Sequence, residues 1–174
     1  MNMKKPLPDR KRLRMQTFDY AKNGMYYVTL CTHNREKLLA DVVNVGTDPR
    51  VRPNAAGRMV EKKLHAVEEK FSNVTLDCYC VMPNHIHAVF CKWAEPSEDR
   101  HMGPSLQELM QWLKTQTTNE YIKMVRQGIL EPFDKHVWQR SYFEHVVRDE
   151  NGLYEIRKYI QDNPAKWVSD DYYG

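Results

Sequence analysis

The chain has 174 residues, of which 41% are hydrophobic and 28% are charged, and its formal net charge at pH 7 is +3. This length predicts one compact domain. No apolar run approaches the roughly 20 residues of a membrane span, and no apolar segment follows the basic N-terminus as in a secretory signal, so we expect a cytoplasmic protein with no membrane partner.

The positive charge is concentrated at the N-terminus. Residues 1–14 carry six basic residues and one acidic residue, a charge of +5, which leaves −2 for the rest of the chain. We predict a single domain over residues 1–174, with a basic arm at 1–17 and a compact core at 18–174. Arm residues such as Arg12 and Arg14 could neutralise DNA phosphates, although a solvated tail has the same composition.

The first half of the chain predicts a strand, a loop and a helix. The strand covers residues 25–32, which are rich in aromatic and β-branched side chains. Residues 43–54 are dense in turn formers and are predicted to be a loop, with a hairpin connection as the alternative. Asn54 can cap a helix whose apolar residues recur at helical spacing from Ala56 to Phe71.

The second half predicts two strands and two helices. Short β-prone segments at residues 74–81 and 85–93 are separated by Met82-Pro83-Asn84. Ser105 and Glu108 form a capping-box pattern at the start of a helix, which residues 119–127 continue or renew. A loop is predicted over residues 131–141. A last helix is predicted from Asn151 to Asn163, ahead of Pro164.

The order of these elements predicts an α+β fold. Strand, helix, strand, strand and helix match most of a ferredoxin-like split βαβ arrangement, in which helices cover one face of a four-stranded antiparallel sheet. An additional C-terminal helix follows. We expect the other face of the sheet to remain uncovered and available for a site.

Two histidines two residues apart are the first candidates for chemistry. On a strand, His85 and His87 point to one face while Ile86, Ala88 and Phe90 point to the apolar opposite face. Two imidazoles on one face can chelate a metal ion. The alternative from spacing alone is a pair of exposed histidines without a ligand. A barrel hydrolase or a cupin needs more residues or more strands than this chain offers.

Several segments in order resemble those of the single-tyrosine transposases that carry a His-hydrophobic-His motif, including those associated with repetitive extragenic palindromes. The segment CVMPNHIH at Cys80–His87 is similar to the family's histidine motif. The other segments that resemble the family are Phe18–Tyr20 with Tyr26–Thr32, Trp138–His145, and Tyr159–Pro164.

The resemblance implies a nucleophilic tyrosine on the last helix, and Tyr159 is the tyrosine in the matching position. It also implies a third metal ligand four residues later, which here is Asn163, where many relatives carry Gln. Helical geometry puts both side chains beside the apolar stripe of that helix. From the residues alone, a partly buried tyrosine and a helix-ending asparagine remain the alternative. Two imidazoles and an amide oxygen suit Mg²⁺ or Mn²⁺.

The activity that the resemblance implies is cleavage and rejoining of single-stranded or hairpin DNA, such as a REP-like palindrome, through a 5′-phosphotyrosine. The protein would act as a monomer or a homodimer. Two alternatives are a DNA-binding regulator of the same fold that does not cut, and a metal hydrolase of small phosphates. Candidate DNA contacts, besides the arm, are Lys114, Trp138, Arg140, Tyr142, His145 and Arg148. The aromatic residues among them could equally be core residues.

Overall fold

The computed structural model describes residues 24–45, 48–93 and 104–169. The basic arm, with Arg12 and Arg14, and the segment Phe18–Tyr20 lie outside the described residues. The strands and helices are β1 (Gly24–Cys31), β2 (Ala40–Val45), β3 (Asp48–Pro53), α1 (Ala55–Lys70), β4 (Val74–Val81), β5 (His85–Lys92), α2 (Leu106–Arg126), β6 (Phe143–Val147) and α3 (Glu150–Asp162). Short 3-10 turns lie at His33–Arg35, Asn163–Ala165 and Trp167–Ser169.

Four strands form one antiparallel sheet in the order β4-β5-β1-β6. With α1 between β1 and β4, and α2 between β5 and β6, this is the connectivity and strand order of a ferredoxin-like fold. The predicted fold class is therefore confirmed, including the helix that follows the last strand of the sheet.

The main core lies between this sheet and the helices α1 and α2. Alternate residues of β1 and β5 point into it and are fully buried: Tyr26, Val28, Leu30, Ile86, Ala88 and Phe90. We call this side of the sheet the core face, and the opposite side, which carries His85 and His87, the histidine face.

Both predicted helix starts are capped as the sequence indicates. The side chain of Asn54 accepts hydrogen bonds from the amides of Ala56 and Gly57 at the start of α1. Ser105 and Glu108 form a reciprocal capping box at the start of α2. The helix then runs unbroken to Arg126, so residues 119–126 continue it and do not begin a new helix.

A hairpin replaces the loop predicted at residues 43–54. β2 and β3 pair antiparallel, with Ala40 opposite Pro53 and Val42 opposite Val51. In a two-stranded ribbon each strand has an open edge, so a proline that cannot donate a ladder hydrogen bond is tolerated there. Pro53, predicted to lie in a loop, is thus the last residue of a hairpin strand, and Val51 packs against the apolar cluster on the histidine face.

The prediction that the histidine face stays uncovered is wrong. α3 and the turn at Trp167–Ser169 lie against it, and they bury a second apolar cluster. Its buried members are Cys80, Met82, Val89, Val147, Leu153, Ile160 and Trp167. The physical reason is that the apolar stripe of α3 needs a partner, and this part of the sheet provides an apolar surface.

The fourth strand of the sheet, β6, is not predicted by the sequence pattern. It pairs with β1, with Phe143 opposite Thr29 and His145 opposite Tyr27. Its alternation is obscured because Glu144, on the core face, is buried whereas Phe143 and His145 on the histidine face are exposed. Among the described residues, no helix combines the length and the apolar character needed to cross a membrane.

Candidate functional site

The site begins with two imidazoles at the start of β5. His85 and His87 point to the histidine face, as their spacing predicts, and both are fully buried. Their Nε2 atoms lie 3.1 Å apart, with the two rings nearly edge to face. Ligands about 2.0–2.1 Å from one divalent ion lie roughly 2.9–3.4 Å from each other. The pair therefore fits one ion, and the same distance suits a hydrogen bond between the rings when no ion is present.

His85 is held by the residue that precedes it. Its Nδ1 lies 2.8 Å from the side-chain oxygen of Asn84, an atom that only accepts, so Nδ1 carries the proton and donates. Asn84 is fixed in turn, because the amide and hydroxyl of buried Thr32 both donate to its backbone carbonyl. Burial, with a smaller contribution from the charge of Arg35, lowers the pKa of His85 to about 3. The ring is thus neutral, with the lone pair on Nε2 as a metal ligand requires.

His87 is held by two hydroxyl groups of β1. Its Nδ1 lies 2.8 Å from the hydroxyl of Tyr27 and 2.8 Å from that of Thr29. Thr29 also donates to the hydroxyl of Tyr27 over 3.2 Å. A hydroxyl both donates and accepts, so this pair can accept a hydrogen bond from Nδ1–H, which places the lone pair of the ring on Nε2.

Tyr159, on α3, packs against the rings of His87 and Tyr27. Its ring centroid is 5.2 Å from that of His87 and 6.5 Å from that of Tyr27. The side chain is 43% exposed, so a large substrate can reach it while the histidines beneath stay buried. The structure therefore brings the predicted tyrosine and the predicted histidines together within one chain.

Asn163 follows Tyr159 by one helical turn and ends α3. Its amide donates to the carbonyl of Tyr159, and its side chain is 3% exposed. The side-chain oxygen of Asn163 accepts no hydrogen bond from the described residues, which is unusual for a buried polar atom. The described residues also contain no cluster of three or more His, Cys, Asp or Glu side chains that could hold a metal. Among the described residues, Asn163 thus has a buried side-chain oxygen whose hydrogen-bonding capacity is unused, one helical turn after Tyr159.

An ion pair holds α3 against the sheet near Tyr159. Arg157 forms a two-pronged ion pair with Asp77 of β4, and the guanidinium holds the pKa of that carboxyl below its usual range. Beyond the C-terminal end of α3, Trp167 lies beside His85, with their ring centroids 6.1 Å apart. The helix that carries Tyr159 is therefore positioned by a charged contact and by apolar packing.

Two of the candidate DNA contacts have structural roles. Trp138 is buried, and its indole donates to the hydroxyl of buried Thr117, so it is a core residue rather than an exposed stacking surface. The ammonium of Lys114 donates to the backbone carbonyls of Gln139 and Arg140 and lies over the ring of Tyr142. Lys114 thereby fixes the loop before β6, an arrangement that spacing along the sequence does not reveal.

The remaining candidates lie on or beside β6. Arg140, His145 and Arg148 are exposed, and Tyr142 is partly buried. His145 is opposite Tyr27 in the register of β6 and β1, so it lies on the histidine face. Arg140 and Tyr142 precede β6 and Arg148 follows it, whereas Arg12 and Arg14 are outside the part of the chain that the structure describes.

The residues that orient the histidines are absent from the sequence prediction. Asn84 directly precedes His85, so a contact between their side chains could have been predicted from the sequence. Tyr27 and Thr29 alternate with the core residues of β1, but their contact with His87 depends on the pairing of β1 with β5. That register could not be read from either segment alone.

Comparison with known proteins identifies the relatives of this chain. The family described as IS200-like transposases matches residues 20–163. An uncharacterized protein of Haemophilus influenzae is 29% identical over 173 residues, which cover 94% of this chain and 93% of that protein. A candidate REP-associated tyrosine transposase of the same species is 28% identical over 157 residues, covering 85% of this chain and 74% of that protein.

Two solved structures share the fold. A REP-associated tyrosine transposase bound to a REP hairpin has a TM-score of 0.57 and 19% identity, covering 88% of this chain and 74% of that one. A candidate transposase from Deinococcus radiodurans has a TM-score of 0.51 and 16% identity, covering 87% of this chain and 98% of that one. At these identities the likeness shows a shared fold.

Proposed function

This chain belongs to the family of IS200-like transposases, enzymes that act on DNA, and we propose that it cleaves and rejoins one DNA strand through a covalent bond to Tyr159. The observation that carries the proposal is the contact of a partly exposed tyrosine with His87, which is itself paired with His85. The Nε2 atoms of His85 and His87 are 3.1 Å apart, and the ring of Tyr159 is 5.2 Å from that of His87.

In this proposal His85, His87 and Asn163 hold a divalent ion, either Mg²⁺ or Mn²⁺. The donor set is neutral and leaves coordination positions for water and phosphate oxygens. The fixed Nδ1 atoms of both histidines and the unsatisfied side-chain oxygen of Asn163 support it. When bound, such an ion acts as a Lewis acid towards the scissile phosphate.

Tyr159 supplies the nucleophile. A phenol has an ordinary pKa near 10, so it needs a close and aligned phosphate to react at neutral pH. Its oxygen forms a bond to phosphorus while the bond from phosphorus to the 3′-oxygen breaks. The phenol loses a proton and the 3′-oxygen gains one, which gives a 5′-phosphotyrosine and a free 3′-hydroxyl. Because phosphorus remains esterified, another 3′-hydroxyl can reverse the step and join strands without ATP.

We infer that the substrate is single-stranded or hairpin DNA, including REP-like palindromes. One structural relative, a REP-associated tyrosine transposase, is bound to a REP hairpin. Exposed Arg140 and Arg148 offer positive charge that complements phosphates, exposed His145 offers a hydrogen-bonding ring, and the sequence of the basic arm, with Arg12 and Arg14, supplies further positive charge. Lys114 contributes by holding the loop that carries Arg140.

A covalent adduct tests the proposal. Incubation with Mn²⁺ and single-stranded hairpin DNA is expected to give a protein–DNA species that survives denaturant, and Tyr159→Phe should abolish it. Tyr154→Phe is the matched control, because Tyr154 is an exposed tyrosine on the same helix. A regulator that does not cut, or a hydrolase of small phosphates, would form no adduct even in the parent protein.

A further inference from the structure

Phe143 is an exposed aromatic residue at the edge of the sheet. It begins β6, and its side chain is 43% exposed. In the strand register, Phe143 is opposite Thr29, and Thr29 is opposite His87. Residues opposite one another on neighbouring strands point to the same face. Phe143 therefore stands on the histidine face, two strands and roughly 10 Å from His87.

Phe143 is also connected to the site by aromatic contacts. Its ring meets that of Tyr27 edge to face, with the centroids 6.2 Å apart. Tyr27 in turn contacts Tyr159 and donates or accepts a hydrogen bond at His87. A single exposed apolar side chain is ordinary on a protein surface. An exposed ring that continues an aromatic row to the proposed nucleophile is a more specific feature.

The charges around Phe143 favour an anionic ligand. Exposed Arg140 and Arg148 stand before and after β6, and exposed His145 lies on the same face as Phe143. Glu144 points to the core face, and the carboxylate of Asp149 accepts a hydrogen bond from the amide of Gly152 at the start of α3. An exposed ring on a strand that is preceded and followed by arginines suits a nucleotide strand, which presents a base to the ring and phosphates to the cations.

We propose that Phe143 is a stacking platform for an unpaired base of the DNA strand, close to the phosphate that Tyr159 attacks. This inference rests on the proposed function, because it needs a DNA strand across the histidine face. The base lies on the exposed side of the ring, while Tyr27 supports its inner edge. Arg140, His145 and Arg148 contact the backbone on either side.

Binding of a short oligothymidylate and of an abasic strand of equal length separates stacking from charge. The two probes carry the same phosphates, and only the first carries bases. By fluorescence anisotropy, Phe143→Ala should weaken oligothymidylate binding by about 5- to 150-fold and leave abasic binding unchanged, whereas Phe143→Trp should retain both affinities. Ile129→Ala removes another exposed apolar side chain and should change neither.

If Phe143→Ala lost affinity equally for both probes, or lost affinity for neither, the stacking role would be overturned. This failure can be told apart from failure of the proposed function. If cleavage is wrong, the parent protein forms no denaturant-resistant adduct. If stacking is wrong, the adduct forms, but the parent and Phe143→Ala discriminate equally between the two probes.

Discussion

The Nε2 atoms of His85 and His87 lie 3.1 Å apart, and the Nδ1 atom of each ring contacts a side chain that fixes its orientation. This arrangement directs both Nε2 atoms to one point, where a hydrogen bond between the rings or a single ion fits. Because the rings are fully buried, the geometry is maintained by packing as well as by hydrogen bonds.

The hydroxyl groups behind His87 are predicted to control metal affinity. Removing both, in the double variant Tyr27→Phe with Thr29→Val, should weaken Mn²⁺ binding by about 10- to 100-fold, because the imidazole loses the partners that fix its proton at Nδ1. Electron paramagnetic resonance of free Mn²⁺ during a titration measures this. Thr115→Val, on the exposed side of α2, is the matched control. Unchanged affinity in a folded double variant would remove these hydroxyls from the metal site.

The loop before β6 gives a prediction that separates structure from DNA contact. Lys114→Met should lower the melting temperature, because two backbone carbonyls lose their donor, and should leave the salt dependence of DNA binding unchanged. Arg140→Ala should leave the melting temperature unchanged and reduce the slope of log affinity against log salt by about 0.7–0.9. The opposite pattern would make Lys114 the phosphate contact.

The ion pair between Asp77 and Arg157 predicts a stability that depends on pH. Arg157 lowers the pKa of Asp77 in the folded protein, so the unfolded chain binds more protons as pH falls. The stabilisation by Asp77 is therefore present above its unfolded pKa of about 3.9 and is lost as pH falls through the lower folded pKa. Urea unfolding should show Asp77→Asn less stable than the parent at neutral pH, with the difference shrinking in acid.

The control for this ion pair is Glu120→Gln, which breaks an exposed pair with Lys123 on α2. It should have a smaller effect than Asp77→Asn, because exposed pairs within one helix contribute little. A difference between Asp77→Asn and the parent that stayed constant down to strongly acidic pH would contradict the role given to the charge of Asp77.

The sequence was sufficient for features that depend on local periodicity. Alternation along one strand predicted that His85 and His87 share a face, and helical spacing predicted that Tyr159 and Asn163 are neighbours. The caps at Asn54 and Ser105 could be read because capping needs particular side chains at fixed positions.

Features that depend on distant parts of the chain could not be read in this way. The burial of the histidines follows from the packing of α3 over the sheet. The apolar stripe of α3 predicted that the helix packs against another element, but not against which one. The strand β6 was missed because Glu144 interrupts its alternation. Trp138 and Lys114 looked like surface contacts because their partners, Thr117 and the carbonyls of the loop, lie more than 20 residues away in sequence.

The central claim, that Tyr159 becomes joined to the 5′-phosphate of a cleaved strand, is tested most directly by mapping the adduct. After nuclease and trypsin digestion, mass spectrometry should find the residual nucleotide on the peptide from Tyr159 to Lys166, which contains one tyrosine. A label placed on the 3′ side of the cleavage point should remain with the protein. A nucleotide on any other peptide, or retention of the label from the 5′ side, would contradict the account.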